Sequence, residues 1–493
     1  MSAPAEPRPS RPIRFVHRGE VKEVSGVPAT TTVLQWLREA AHCTGTKEGC
    51  AEGDCGACTV VLGERDTTGA WQQRTVNACI QFLPTLDGQA LLTVEDLQPR
   101  ADAPMHPCQK ALVDCHGSQC GFCTPGIVMS LWAQQESQPG CPSRSQLQDA
   151  LSGNLCRCTG YRPILNAAQQ AASLPAMPLQ REPVRAALQQ LAARPSLQGE
   201  AGGARYAVPA TLAELLALRH DWPQARLVAG STDVGLWVTK QLRTLGDVIF
   251  VGRVPELRQL QRQADGVWIG AAVSVEDALQ QLAASHPAWD ALRLRFASRP
   301  VRNAGTLGGN VANGSPIGDS MPALIAAGAR VVLQSLRGRR ELALEDFYLG
   351  YQRTALAADE IVLGLCVPPL AAGSQLALYK VSKRFDQDIS AVFAAVQLQV
   401  ADGRIAAVRL AFGGMAATPA RALHAEAALQ GAAFDAASFA AAAAALAQDF
   451  SPLSDVRGSA AYRLQVAAGL LQRAWLQFSG HAATDLARLE ASV

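Results

Sequence analysis

The sequence predicts a multidomain α+β chain, and three observations carry that reading. Its 493 residues exceed what a single core usually organises, because domains run to ~100–200 residues. Twelve of its 13 cysteines lie between Cys43 and Cys158, so the first third is built differently from the rest. Beyond that third, strand-like and helix-like patterns alternate, which is mixed α/β grammar.

Composition narrows the function classes. Hydrophobic residues make up 48% and charged residues 17%, which excludes disordered and fibrous chains. A net charge of +2 excludes a dedicated binder of nucleic acid or of membrane surfaces. No apolar run approaches the ~18 residues of a spanning helix. Met1 to Arg14 carries prolines and arginines instead of the apolar segment of a signal peptide. The chain is therefore expected in the cytoplasm, where so many cysteines point to metal or redox chemistry and not to disulfides.

The elements follow in order. Ile13, Phe15 and His17 alternate as a strand, Arg18-Gly19-Glu20 turns, and Val21 starts a partner strand. Val33, Trp36, Leu37 and Ala40 recur at helical spacing behind a threonine cap at Thr30 to Thr32. Cys43 to Cys58 reads as a glycine-rich loop, and Thr59 to Leu62 as a short strand. From about Gln98 to Ala172 the pattern is helical. The stretch 173–203 is rich in proline and glycine and reads as a linker. After it come strands Ala225 to Ala229, Asp247 to Val251 and Val267 to Ile269, with helices Thr211 to Leu218 and Ser274 to Ala284. From about Leu376 two strands, Ala391 to Val400 and Ile405 to Gly413, precede alanine-dominated helix, in which Phe439 and Leu446 flank the run Ala440 to Ala445 and offer it packing partners.

The cysteine spacing carries the chemistry. Cys50, Cys55 and Cys58 follow C-x4-C-x2-C, and Cys79 comes later, which is the plant-type spacing for four thiolates around a 2Fe–2S cluster. Gly49, Gly53 and Gly56 let the backbone wrap tightly and aim N–H groups inward. A second quartet pairs Cys120 and Cys123 with Cys156 and Cys158. By spacing alone, structural zinc is an alternative for both quartets. Of the remaining five, Cys43, Cys108, Cys115, Cys141 and Cys366, most are expected to be buried small hydrophobes. No histidine pair has metal-ligand spacing.

The segments Gly45-Thr46-Lys47-Glu48-Gly49-Cys50, Gly117 to Gly126 and Gly153 to Pro163 resemble the molybdenum hydroxylases, in particular the small subunit of their bacterial xanthine-oxidising members. The likeness extends to about residue 480, and its C-x-C pair favours a second 2Fe–2S cluster over zinc. The resemblance implies a plant-ferredoxin-like β-grasp 2Fe–2S domain over 11–97 and a helical-bundle 2Fe–2S domain over 98–172. After the linker it implies an α/β FAD-binding domain of the vanillyl-alcohol-oxidase (PCMH) type over 204–372 and a C-terminal α+β flavoprotein domain over 373–485.

Two glycine-bearing stretches suit phosphate. Leu227, Val228, Ala229, Gly230, Ser231, Thr232, Asp233 and Val234 form a strand, a turn and a helix start. Asn303 to Asn310 could present N–H groups as an anion nest, or be a plain glycine-rich turn. By resemblance, Leu227 to Val234 and Thr306, Leu307, Gly308, Gly309 and Asn310 contact FAD, as do Phe296, Asp319, Val362 and Lys380. Lys380 would neutralise diphosphate as a point charge, and Asp319 would accept a hydrogen bond from sugar or flavin. Gln387 stands where animal relatives usually carry an acidic residue thought to influence the choice of oxidant. The chain has no G-x-G-x-x-G, so any NAD must meet the flavin directly.

The family's role for such a chain is electron transfer. The resemblance implies that hypoxanthine or xanthine is oxidised at molybdenum on a large molybdopterin-binding partner. Electrons then reach the Cys120 cluster, the Cys50 cluster, FAD and finally NAD+. An aldehyde or N-heterocycle in place of the purine is the alternative. No catalytic residue is expected in this chain, and the implied assembly is two small plus two large subunits.

Overall fold

The computed structural model describes residues 11–66, 69–100, 102–138, 140–179, 181–193, 195–385 and 387–481. Residues 1–10, which the signal-peptide reading used, and 482–485 of the expected last domain lie outside them. The chain divides into two compact units, one running to residue 255 and including 297–305, the other comprising 256–296 and the chain from 306 onward.

The first unit opens with the expected hairpin. Strands β1 (Ile13–His17) and β2 (Glu20–Val24) pair from Ile13 opposite Val24 to His17 opposite Glu20. Arg18 and Gly19 at φ +55° and +75° make the two-residue turn, whose twist matches that of the strands. Thr32 caps α1 (Val33–Gln35) through a reciprocal box with Gln35, and the helix widens to π geometry over Trp36–Ala40. Strands β3 (Thr59–Arg65), β4 (Trp71–Asn77) and β5 (Ala90–Leu92) complete a sheet of order β2-β1-β5-β3-β4.

Strand periodicity divides that sheet between two cores. Val60 and Leu62 join Ile13 and Phe15 on one face, while Val61 joins Val16 on the other, as alternation of side chains requires. The second face is covered by helices α2 (Val94–Leu97), α3 (Pro107–Asp114), α4 (Thr124–Ser137), α5 (Arg144–Ala150) and α6 (Arg162–Ser173).

The stretch 173–203 is not a bare linker. It holds α7 (Arg181–Gln190) and β6 (Leu197–Ala201). Val184, Ala187, Leu188 and Leu191 recur at helical spacing and are buried in the helical core, a signal that the surrounding prolines masked. Strands β7 (Ala204–Val208), β8 (Arg226–Val228) and β9 (Val248–Phe250) form a sheet of order β6-β7-β9-β8. Between them run α8 (Leu212–Asp221), capped by Thr211, and α9 (Val234–Thr239).

Among the described residues the second unit contains two larger sheets and a two-stranded ribbon of Tyr348–Gly350 with Arg353–Thr354. In the first, β10 (Leu260–Gln263), β11 (Gly266–Gly270), β12 (Arg330–Ser335), β13 (Gly338–Ala343) and the later Ile361–Val367 strand are ordered with that strand central. Helix α10 (Val275–Ala283) starts at a Ser274 cap as expected, and α11 (Ala288–Arg295) follows. The second sheet is antiparallel: Ser374–Val381, Val392–Ala401, Arg404–Gly413 and Ala420–Arg421. Two long helices, Ala436–Asp449 and Ala460–Phe478, cover it. In the alanine run Phe439, Ala442 and Leu446 are buried, so the flanking residues supply the packing that alanine alone lacks.

Candidate cofactor sites

The loop between the π-helical turn and β3 brings Cys50, Cys55 and Cys58 to Cys79 at the end of β4. Two observations fit a cluster there. The N–H of Cys55 donates to Cys50 Sγ at 3.3 Å, and a Cβ at Gly49 would stand 2.9 Å from Cys55 Sγ, so glycine leaves room beside the sulfur. The four thiols crowd together in one connected row, in the order Cys55, Cys50, Cys79, Cys58. A hydrogen bond from Cys55, then one from Cys79, holds Cys50 far below its ordinary range, and one from Cys79 lowers Cys58. Cys55 and Cys79 are driven up as the partners that keep the protons. Iron requires all four as thiolates, so binding it would release those protons.

The second quartet assembles from two loops at helix ends. Cys123 precedes α4, and Cys156 and Cys158 precede α6. Gly121, Gly160 and Tyr161 take left-handed backbone at φ +80°, +67° and +68°, which bends both loops tightly. The Cys156 N–H donates to the Tyr161 hydroxyl at 2.9 Å, and Thr159 Oγ1 lies 3.3 Å from Cys156 Sγ. The backbone at Phe122 lowers Cys120, aided by Cys158, which rises in turn. Burial, with Cys156 beside it, pushes Cys123 up to about 12. Burial also raises Cys156, but bonds from Thr159 outweigh it and the net shift is downward. No three His, Cys, Asp or Glu side chains among the described residues form a single-ion group.

The two loops touch, through residues that sequence reasoning did not single out. Leu155 N–H donates to the Cys55 carbonyl at 2.9 Å. Asn154 is buried and donates to the Gly56 carbonyl at 3.2 Å and to Thr59 Oγ1 at 3.1 Å, while Ser130 donates to its Oδ1 at 2.7 Å. Gly56, at φ +67°, lies so close that an added Cβ would sit 2.0 Å from the Gly153 carbonyl. Only the G-N-L-C order hinted at this joint.

The Leu227 to Val234 stretch of the first unit runs from β8 through a turn into α9. Ser231 is left-handed at φ +62°, and its buried Oγ has no hydrogen-bond partner among the described residues. The N–H groups of Gly230 to Asp233 donate to no carbonyl among those residues. A buried orphan hydroxyl beside a row of free N–H groups suits a phosphate-bearing ligand. Helix α9 sits on the first cysteine loop: Thr239 Oγ1 donates to the Ala51 carbonyl at 2.7 Å, and a Cβ at Gly235 would meet Ile80 at 2.9 Å.

The remaining flavin candidates belong to the second unit. Thr306 caps the Leu307–Asn313 helix, accepting from Gly309 N–H at 3.1 Å. Leu307 N–H donates to Val273. The expected nest is thus largely consumed by the helix start, and Asn310 N–H also bonds within it. Gly308 allows close packing, since a Cβ would meet Ala271 at 2.5 Å. Val362 is buried in the Ile361–Val367 strand, opposite Leu333. Phe296 ends α11.

Lys380 and Asp319 pair with each other. Lys380 Nζ donates to Asp319 at 2.6 Å with the two side chains only 5% and 6% exposed, and Ser390 donates to the same carboxylate. The lysine's charge is thus met by a carboxylate inside the fold. Gln387 is left-handed at φ +51°, and its carbonyl accepts from Arg384. Among the unassigned cysteines, Cys43 and Cys108 are buried, Cys115 and Cys366 half-buried, and Cys141 is exposed, so the expectation of burial fails for Cys141.

Known families match the chain in the same order. A 2Fe–2S iron-sulfur cluster binding domain matches residues 15–83, and a second 2Fe–2S binding domain matches 93–169. The FAD binding domain in molybdopterin dehydrogenase matches 200–370, and the CO dehydrogenase flavoprotein C-terminal domain matches 377–478. The xanthine dehydrogenase of Emericella nidulans is 34% identical over 94% of this chain and 38% of its own length. The xanthine dehydrogenase/oxidase of Gallus gallus is 31% identical over 83% and 35%. The chain thus spans less than two fifths of these relatives. Among solved structures, a chain of carbon monoxide dehydrogenase from Hydrogenophaga pseudoflava is 31% identical, with TM-score 0.54 over 56% of this chain and 98% of that one. Quinoline 2-oxidoreductase from Pseudomonas putida 86 gives 27% and 0.51, over 56% and 96%. With 2Fe–2S domains at both cysteine quartets the zinc alternative falls, and the chain belongs to the molybdenum hydroxylases, whose two iron–sulfur domains, FAD-binding domain and flavoprotein C-terminal domain it carries.

Proposed function

We propose that this chain is the electron-transfer component of a xanthine dehydrogenase, working with a large molybdopterin-binding partner, two copies of each, and delivering electrons to NAD+ in the cytoplasm. The relatives' names support the purine, and no helix among the described residues is long and apolar enough to cross a membrane. The cluster ligands are Cys50, Cys55, Cys58 and Cys79, and Cys120, Cys123, Cys156 and Cys158. The residues assigned to FAD are Leu227 to Val234, Phe296, Thr306 to Asn310, Asp319, Val362 and Lys380. The domains run 11–97, 98–172, 204–372 and 373–485.

The observation that carries this reading is the contiguity within the first unit. The Leu155 to Cys55 hydrogen bond joins the two cysteine loops, and the Thr239 to Ala51 bond seats the helix after the Gly230 turn on the first loop. Bound clusters supply one-electron transfer and bound flavin exchanges electrons singly or in pairs, which suits hydride acceptors. The chain's own residues hold thiolates in place, offer N–H groups to phosphate and exclude water from Cys58, Cys79 and Cys156.

The test is to purify the chain with its partner, measure iron and flavin, and add xanthine anaerobically. Bleaching of the visible flavin and iron–sulfur absorption, reversed by NAD+, is expected. Bleaching by dithionite but not by xanthine would favour the second reading, the same role with an aldehyde or N-heterocycle as substrate. The likeness to quinoline 2-oxidoreductase supports that alternative.

A further inference from the structure

Three segments of the first unit must keep their spacing if electrons are to pass: the two cysteine loops and the Gly230 turn. A short helix, Arg299–Ala304, with its cap Ser298, contacts the Gly230 turn, the strand that leads to Cys79 and the segment that leads to Cys156. A Cβ at Gly230 would stand 1.8 Å from the Ala304 carbonyl, so the turn rests directly on the helix end. Asn303 Nδ2 donates to the Thr75 carbonyl at 3.0 Å and to Thr75 Oγ1 at 3.1 Å, on the strand that delivers Cys79. At the other end the Arg299 N–H donates to Ser152 Oγ at 3.0 Å, and a Cβ at Gly153 would meet Ser298 at 2.6 Å. Ser152 and Gly153 lead into Cys156.

The pin is electrostatic. Arg302 exposes none of its side chain and donates to Asp149 on α5, which is itself 9% exposed. Arg299 Nη1 donates to the same carboxylate at 2.8 Å. A guanidinium withdrawn from water demands its partner, and its planar fork fixes a direction that an ammonium does not.

We propose that Arg302, held by Asp149, is a positioning residue for electron transfer: it clamps the Arg299–Ala304 helix between the strand that leads to Cys79, the segment that leads to Cys156 and the Gly230 turn, and so fixes the separation of the groups they hold. The proposal rests on the functional reading above. Neither residue is a ligand in that reading, and each acts through the segments it braces.

The test uses the full chain carrying Arg302→Lys or Asp149→Glu, which keep both charges and change the fork or its reach. Iron and flavin contents, and the presence of two cluster EPR signals, report the functional reading. The magnetic splitting between the two reduced clusters reports the spacing. In the complex with the partner, the rate of flavin reduction by xanthine reports its consequence. We expect wild-type contents and both signals, an altered splitting in both variants, and flavin reduction slowed about tenfold, as small misplacements of reacting groups produce. Full contents with unchanged splitting and rate would overturn the proposal. So would loss of iron and flavin in both variants, which would make the pair a folding requirement and not a spacer. A wild-type chain without iron or flavin would overturn the functional reading, and this proposal with it.

Discussion

The two cysteine quartets have the same ligand count and different surroundings. In the first, Cys58 and Cys79 are buried and Cys50 and Cys55 half-buried, beneath α9 and the β4 strand end. In the second, only Cys156 is buried, while Cys120 and Cys158 are exposed beside the exposed Phe122, Leu155 and Tyr161. Solvent access and hydrogen bonding to sulfur set a cluster's reduction potential. The difference teaches that one chain can hold two chemically alike centres at different potentials by burying one more deeply.

The comparison can be broken at the ligands, where the effect is largest. Cys79→Ser and Cys158→Ser are each expected to remove one of two EPR signals and about half of the iron, with the other signal retained. Loss of both signals from either change would show that the quartets are not separate centres. Next comes the joint. Gly56→Ala places a Cβ 2.0 Å from the Gly153 carbonyl at a backbone φ of +67°. The left-handed conformation alone costs ~1–2 kcal/mol, and the clash adds to it, so both signals should diminish together. Asn154→Ala leaves the Gly56 carbonyl and Ser130 without that partner and should lower stability by about 1–3 kcal/mol, read as a fall in the thermal unfolding midpoint with both clusters present.

The smallest effect sharpens the contrast by chemistry. In chain stripped of iron, Cys120 is exposed and its thiol lies below the ordinary 9.0, so an alkylating reagent should modify it before Cys123, at mildly alkaline pH. Cys123, pushed up to about 12 by burial, should react only as pH rises towards that value, because the thiolate is the nucleophile. Mass spectrometry of peptides across a pH series reads the order. Equal rates at Cys120 and Cys123 would remove the distinction.

Much of the fold was legible because its signals are local. The β1–β2 hairpin announces itself through a turn and alternation within twelve residues of Ile13, and the caps Thr32, Thr211 and Ser274 sit where the spacing puts them. Helix α7 was missed because Pro175, Pro178, Pro183 and Pro195 outweighed the Val184, Ala187, Leu188 and Leu191 stripe. A single proline near a helix start, such as Pro183, is compatible with helix. The hairpin of β12 and β13 was unread because Arg339 and Arg340 interrupt its second strand; in the fold Arg340 pairs with Glu360 across the sheet.

What the sequence determined by itself was the inventory and its local grammar: eight cysteines in two quartets, the glycines that let loops bend, and the order of domains. Those follow from spacing, because a thiolate cage and a helix cap are built from residues close in the chain. The tertiary structure alone decided which groups meet across long separations. It set Asn154 on Gly56, Arg302 on Asp149, and Lys380 on Asp319. These pairings span 98, 153 and 61 residues, and no local pattern encodes them. They exist because a buried charge or amide must find a partner inside the fold, and only the packed chain settles which one is within reach.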